Sequence, residues 1–169
     1  MNSAAFDDVL HSNRQFAADY EPTGVPGLAA RGLAIVTCMD SRLDPLRMLG
    51  LAKGDAKILR NAGARVTDDV LRTLILAVHL LDVSRVMIVA HTGCRMSGIE
   101  DSDIHDAIAR SADLDTRSID FGAVKDQRAI LHHDVQRVRS SPYLPNSLAV
   151  IGCIYNLDDG LLNVVESPE

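Results

Sequence analysis

Four short runs rich in apolar residues, each bounded by polar or turn-forming positions, are spaced along the chain. They occupy residues 33–37, 56–60, 85–90 and 147–153. Runs of this length suit strands better than helices, and their nearly continuous apolar character is typical of strands buried on both faces. The pattern therefore predicts a central sheet of four strands.

Helical periodicity separates these strands. Between the second and third runs, Thr67 can cap a helix whose positive end is complemented by Asp68 and Asp69. The apolar positions of this helix then recur at helical spacing, namely Val70, Leu71, Leu74, Ile75, Val78 and Leu81. Two further helices are predicted over residues 4–19 and 121–139. Because strands that alternate with helices favour parallel pairing, we expect an α/β fold with helices on both faces of the sheet.

The bulk composition narrows the class of protein. A length of 169 residues suits a single domain spanning residues 1–169. The formal net charge of -6 argues against a nucleic-acid partner, because phosphate backbones require cationic surfaces. No apolar run reaches the length of a membrane span, and the N-terminus does not resemble a secretory signal, so we expect a cytoplasmic location and no membrane partner. Three cysteines in a reducing compartment favour metal binding or core burial over disulfides.

Three side chains with metal-binding chemistry lie where the strands end. Cys38 follows the first strand, His91 follows the third, and Cys94 comes three residues after His91. Because ligands of parallel sheets gather at the carboxyl ends of the strands, we expect these three groups at one edge of the sheet. Two thiolates and one imidazole suit zinc, and three protein ligands leave the fourth tetrahedral position open, as in catalytic zinc sites.

Asp40 and Arg42 extend this candidate site toward catalysis. Zinc can lower the pKa of a bound water to about 7, so that hydroxide becomes available near neutral pH. Asp40 lies two residues after Cys38 and can orient that hydroxide. Arg42 can in turn hold the Asp40 carboxylate through a bidentate, charge-assisted pair. The residues therefore predict a zinc site that activates water.

These motifs resemble those of the β-class carbonic anhydrases. The resemblance rests on Cys38-x-Asp40-x-Arg42 together with His91-x-x-Cys94. It extends to Arg60-Asn61-Ala62-Gly63, to Val66-Thr67-Asp68-Asp69 and to the C-terminal Gly152-x-Ile154-Tyr155. It covers roughly residues 8–165, and the chain is most similar to the short bacterial branch of the family.

The resemblance implies a fold, an assembly and a reaction. The fold is a three-layer α/β structure with a central, mostly parallel four-stranded sheet. The assembly is a homodimer or a dimer-based higher oligomer, in which the N-terminal helix packs on the partner. The zinc ligands are Cys38, His91 and Cys94, and the catalytic pair is Asp40 with Arg42. The implied reaction is the reversible hydration of carbon dioxide to bicarbonate by zinc-bound hydroxide.

The resemblance also places three residues near the metal and along the border of the substrate pocket, namely Asn61, Ala62 and Gly63. Two positions depart from many relatives, because Arg95 stands where Gly is common and Asn156 where Asp is common. Arg95 lacks the backbone freedom of Gly and adds a permanent cation near the pocket. It therefore bears on rate and substrate choice more than on metal binding.

Two other functions fit the same motifs. Carbonyl sulfide hydrolases and carbon disulfide hydrolases share them, so one alternative is hydrolysis of these substrates on the same zinc site. The second alternative is a zinc-containing, bicarbonate-responsive protein without enzymatic activity. The presence of both Asp40 and Arg42 argues against such a degenerate site. Cys153 lies in the fourth apolar run without ligand spacing, and we expect it to be a buried hydrophobic residue.

Overall fold

The computed structural model describes residues 3–166 and contains one five-stranded sheet. Its strands are β1 Leu33–Cys38, β2 Ala56–Asn61, β3 Arg85–His91, β4 Ala149–Tyr155 and β5 Leu162–Glu166. The strand order is β2-β1-β3-β4-β5, with parallel pairing among the first four and antiparallel pairing of β5 with β4. All four predicted strands are present, and the mostly parallel α/β class is confirmed.

The sheet has one strand more than the four that the apolar runs and the family resemblance predict. β5 follows a tight turn in which Gly160 has a φ of 74°, so the chain reverses direction and returns antiparallel to β4. Within this edge strand Asn163 and Val164 are exposed, and no residue is fully buried. Asn163 interrupts the apolar residues of this segment, and the strand has only one partner, so it does not match the pattern of a strand buried on both faces.

Residues 3–166 contain five α-helices, namely α1 Asp7–Ala18, α2 Pro45–Met48, α3 Asp68–Leu80, α4 Asp101–Ala112 and α5 Gln127–Arg139. α3 begins where the sequence predicts, and the Thr67 side chain accepts a hydrogen bond from the backbone N–H of Val70 at 3.3 Å. α3 and α5 pack on one face of the sheet and form the main core with it. On the other face, residues of α2 and of the segment after it pack against β1.

The helix predicted over residues 121–139 is wrong at its beginning, because α5 starts only at Gln127. Asp126 caps α5 by accepting hydrogen bonds from two amides of its first turn, at 2.9 and 3.2 Å. Gly122 has a φ of 68°, which a helix does not allow. Asp101 accepts hydrogen bonds from two amides of this preceding segment, at 2.8 and 2.7 Å. The segment is therefore tied to α4 instead of extending α5.

The N-terminal helix is present, as a 3-10 turn over Ser3–Phe6 followed by α1. None of the residues of α1 is buried in the single chain. Four large apolar side chains of this segment are exposed, namely Phe6, Val9, Leu10 and Phe16. An amphipathic helix with no buried face is unusual for an isolated globular chain, because burial of that face supplies most of its stability.

None of the described helices has the length and apolar character that a bilayer crossing requires.

Candidate metal centre

Three side chains converge at the carboxyl edge of the sheet. Cys38 is the last residue of β1 and His91 is the last residue of β3, and these two strands are parallel neighbours. Gly93, with a φ of 63°, turns the following loop so that Cys94 returns toward Cys38. The two Sγ atoms are 3.9 Å apart, and the ligand atoms of Cys38, His91 and Cys94 all lie within 4.8 Å of one another. All three residues are buried.

The donor atoms of this group fit a metal ion. His91 Nδ1 lies 2.9 Å from the carbonyl oxygen of Thr92, so Nδ1 carries the proton and donates it there. His91 Nε2 is buried and has no hydrogen-bond partner among residues 3–166. A buried polar atom without a partner is costly, and here its lone pair faces two thiol groups. Two sulfur ligands and one imidazole nitrogen form a set typical of zinc, so the residues present fit that ion.

The pKa of the Cys94 thiol also bears on metal binding. Burial raises the pKa of the Cys94 thiol above its ordinary value, because the thiolate is the charged form. Without a cation the buried Cys94 sulfur therefore favours the protonated state. A bound metal ion reverses that preference, since a coordinating thiol is deprotonated. Among residues 3–166, no other group of three His, Cys, Asp or Glu side chains meets the geometric condition for holding an ion.

Asp40 and Arg42 form the bidentate pair that the sequence predicts. Asp40 Oδ1 accepts hydrogen bonds from the backbone N–H and the Nε of Arg42 at 3.0 and 2.9 Å, and Oδ2 accepts one from Nη2 at 2.6 Å. Arg42 Nη2 also donates to the carbonyl oxygen of Gly93 at 3.1 Å. The side-chain hydrogen bond from Arg42 is the main reason that the pKa of the Asp40 carboxyl lies well below its ordinary value. The carboxylate is therefore ionised and fixed at neutral pH.

The fixed carboxylate lies beside the candidate ligands without replacing one of them. Asp40 Oδ2 is 3.8 Å from His91 Nε2, which is too long for a hydrogen bond. One cavity, with a volume of about 520 Å³, is lined by Cys38, Asp40, Arg42 and Cys94. His91 lies deeper, with 0% of its surface exposed. The cavity gives a small substrate access to the edge of the ligand group.

Arg60 is a positioning residue whose role the sequence motifs do not reveal. It lies next to the end of β2 and donates three hydrogen bonds to carbonyl oxygens: Nε to Cys38 at 2.9 Å, Nη1 to Leu43 at 3.3 Å and Nη2 to Asp40 at 2.6 Å. These bonds hold the segment that carries both the candidate ligand Cys38 and the Asp40 carboxylate. In the sheet, Arg60 pairs with Thr37, the residue before Cys38, and this register brings its side chain to the segment after β1.

The three residues expected at the pocket border take different places. Asn61 closes the turn after β2, since Nδ2 donates to the carbonyl of Arg65 at 2.7 Å and Oδ1 accepts from the N–H of Arg65 at 2.8 Å. Gly63 has a φ of 77°, and a Cβ there would lie 3.4 Å from the Cβ of Met96, which packs against the two thiols. Asn61 and Ala62 line a separate cavity of about 350 Å³. Gly63 therefore approaches the loop after Cys94.

A buried ion pair anchors the turn that contains these residues. Arg65 Nε lies 2.8 Å from Asp134 Oδ2, and the same oxygen accepts a hydrogen bond from the backbone N–H of Val66 at 3.1 Å. Asp134 belongs to α5 and is 1% exposed. The pair therefore fixes the turn after β2 against the helix that covers the sheet.

Cys153, in the fourth apolar run, is fully buried as the sequence predicts. Burial raises the pKa of its thiol to about 11.

Comparison with known proteins identifies the family. A family model described as carbonic anhydrase matches residues 33–162. Beta-carbonic anhydrase 1 of Mycobacterium tuberculosis is 35% identical over 163 residues, which cover 94% of this chain and 96% of that protein. A carbon disulfide hydrolase of Acidithiobacillus thiooxidans is 28% identical over 158 residues, with coverage of 82% and 78%. The crystal structure of carbonic anhydrase from Streptococcus mutans covers 98% of this chain and 99% of its own, with a TM-score of 0.88 and 34% identity.

A mostly parallel sheet that gathers two thiols, one imidazole and a fixed carboxylate at one edge defines a class of α/β proteins built around a candidate metal site. Within that class the matched model spans most of the chain, and the Mycobacterium relative aligns over nearly its whole length. The chain therefore belongs to the carbonic anhydrase family of enzymes.

Proposed function

We propose that this protein catalyses the reversible hydration of carbon dioxide to bicarbonate, with one zinc ion held by Cys38, His91 and Cys94. The observation that carries the proposal is the unpartnered, buried Nε2 of His91 beside two thiols, at the base of a cavity that also contains the Asp40 carboxylate. When bound, zinc supplies a Lewis acid that makes a hydroxide nucleophile available near neutral pH. The family membership of the chain supports this reaction.

Asp40 and Arg42 contribute the orientation of the nucleophile. Asp40 Oδ2 lies 3.8 Å from His91 Nε2, so an ionised oxygen is available beside the ligand atoms to accept a hydrogen bond from the nucleophile. That hydrogen bond leaves a lone pair directed toward the carbon of the substrate. Arg42 holds both carboxylate oxygens and is itself tied to the carbonyl of Gly93. The orientation therefore exists before the substrate arrives, which is the favourable arrangement for catalysis.

Activity of the zinc-loaded protein tests the proposal. We expect carbon dioxide hydration above the uncatalysed rate, measured by stopped flow at alkaline pH, where hydroxide predominates. Asp40→Asn keeps the shape of the side chain but removes its charge, and we expect a loss of about a hundredfold or more, the range of general acid–base contributions. Asp69→Asn is the matched control, because Asp69 is exposed on α3 and pairs only with Arg72 there. No hydration above background by a metal-replete sample would exclude the proposed function.

Hydrolysis of carbon disulfide or carbonyl sulfide is the second candidate. The similarity to a carbon disulfide hydrolase over most of the chain supports this second candidate. The same ligand group and the same carboxylate would serve, and the walls of the cavity would select the substrate. Sulfide release, measured beside carbon dioxide hydration on the same sample, separates the two. A bicarbonate-responsive protein without activity is the third alternative, and the intact Asp40–Arg42 pair argues against it.

We further propose that the chain forms a homodimer, or a larger oligomer built from dimers, through α1. The exposed apolar side chains of this helix and the absence of buried residues along it support the proposal. Burial of about 800 Å² per partner is enough for a stable interface. Light scattering after size exclusion is expected to give at least twice the 18.3 kDa mass of one chain. Val9→Asp is expected to shift the assembly toward the monomer, and an unchanged mass would contradict the role of α1.

A further inference from the structure

Arg95 is the arginine of the active-site cavity whose charge is not used inside the fold. Its side chain is exposed and lines the cavity that contains Cys38 and Asp40. It also lines a neighbouring, more apolar cavity of about 660 Å³ beside α4. Within the described part of the chain, Arg95 donates no hydrogen bond and forms no ion pair. Arg95 therefore borders the space through which ligands would pass.

The other charged side chains around the cavity already have hydrogen-bond partners within the fold. Arg42 is paired with Asp40, and Arg60 donates to three carbonyls below the cavity wall. Asp103, which lines the neighbouring cavity, accepts a hydrogen bond from the backbone N–H of Glu100 at 2.9 Å. Arg95 is the cation lining these two cavities for which residues 3–166 provide neither an ion pair nor a hydrogen bond.

We propose that Arg95 is an anion-binding residue at the mouth of the active site, where it binds bicarbonate and other small monovalent oxoanions or pseudohalides. This inference rests on the proposed function, because hydration converts a neutral substrate into an anion. A guanidinium presents a planar fork of N–H groups that matches the two oxygens of a carboxylate-like ion. Carbon dioxide has no net charge, so the cation discriminates between the two sides of the reaction.

Thermodynamics restricts how this residue can act on the rate. The equilibrium constant fixes the ratio of kcat/KM in the two directions, so no residue can favour one direction alone. An interaction with the bound anion alone strengthens bicarbonate binding and slows bicarbonate release, and it leaves kcat/KM unchanged. Arg95 is therefore expected to increase inhibition of hydration by bicarbonate. It is expected to have less effect on kcat/KM for carbon dioxide.

Calorimetric titration of the zinc-loaded protein with thiocyanate and with bicarbonate tests the proposal, at constant low ionic strength to limit screening. Arg95→Gln is expected to weaken both anions about fivefold, which is the effect of one unit charge at about 4 Å in a water-like dielectric. Arg95→Lys keeps the charge and is expected to retain most of the affinity. Arg128→Gln is the matched control, because Arg128 is exposed and lines neither cavity. The inhibition constant of bicarbonate for hydration should change in parallel.

The outcomes distinguish this inference from the proposed function. Equal anion affinity of wild type and Arg95→Gln, with intact hydration, would overturn the role of Arg95 alone. An equal loss in Arg128→Gln would also overturn it, because the effect would then reflect net charge. Absence of hydration by the wild type, with the fivefold difference in anion affinity preserved, would overturn the proposed reaction and leave the anion site.

Discussion

Replacing Arg60 by lysine is expected to weaken zinc binding while the protein stays folded. The guanidinium of Arg60 holds three carbonyl oxygens in the segment that carries Cys38 and Asp40. An ammonium group keeps the charge but lacks the planar fork, and it can replace about one of these bonds at a time. Two hydrogen bonds are then lost, at about 1 kcal/mol each for a partly exposed group, so the segment is destabilised by about 2 kcal/mol.

That free energy is expected to appear in metal affinity. In the variant, zinc must order a segment that Arg60 orders in the wild type, so the cost is subtracted from binding. A loss of about 2 kcal/mol corresponds to roughly a thirtyfold weaker affinity. This lies within the range of about tenfold to a hundredfold that is typical when the supports of metal ligands are removed.

Competition with a chromophoric chelator measures the zinc dissociation constant, and thermal melting of the metal-free proteins checks that both are folded. Arg72→Lys is the control, because Arg72 is 70% exposed and pairs only with the exposed Asp69. A surface pair of this kind contributes little to stability. If the zinc affinities of wild type and Arg60→Lys agree within about twofold, the three carbonyl contacts do not support the site and the reasoning fails.

Three further predictions concern the frame around the site. Asp134→Asn removes the ion-pair partner of the partly buried Arg65, so we expect a loss of about 1.5–3 kcal/mol in the free energy of unfolding by urea titration, the range for a hydrogen bond to a charged group; a loss below about 0.5 kcal/mol would contradict the role of the pair. Gly152→Ala is expected to lower the free energy of unfolding by about 1–3 kcal/mol in the same assay, because the new Cβ would lie 3.0 Å from side-chain atoms of both α5 and β5. Unchanged stability would mean that these neighbours move freely. For Asp101, backbone hydrogen bonds, chiefly from Ala123, lower the pKa below its ordinary value of 3.8. The stabilisation is therefore present above pH 3.8 and is lost as the pH falls through the lowered value. Asp101→Asn should accordingly be less stable than wild type at pH 7, with a difference that shrinks under acid, and a difference independent of pH would refute this linkage.

The sequence alone was enough to predict the parallel core and the place of the candidate site. The apolar runs identify β1, β3 and β4 because strands that are largely buried need apolar residues at most positions. β2 has no fully buried residue, and its shorter apolar run is enough to predict it. Cys38 and His91 lie at the ends of two such runs, so the topology of a parallel sheet is sufficient to bring them to one edge. The Asp40–Arg42 pair is also local, since two residues of separation allow the bidentate contact directly.

Features that depend on contacts between distant segments appear only in the tertiary structure. The segment before α5 is held outside the helix by Asp101, which accepts hydrogen bonds from amides that local periodicity assigns to a helix. β5 depends on a single partner strand and has no buried pattern of its own. Likewise, the pair of Arg65 with Asp134 joins residues far apart in the chain, and nothing in either local sequence specifies the other.

The sequence determined which chemical groups meet, because strand ends and short motifs are encoded by residues close together in the chain. The tertiary structure decided how these groups are held and which charges remain free. Arg60 became a support for Cys38 and Asp40 through the register of β1 and β2, whereas Arg95 has no partner at the cavity among residues 3–166. Both are arginines near the site, and only the packing of their surroundings distinguishes a positioning residue from a free cation. The physical reason is that hydrogen bonds and ion pairs act over a few ångströms in space, whatever the separation along the chain.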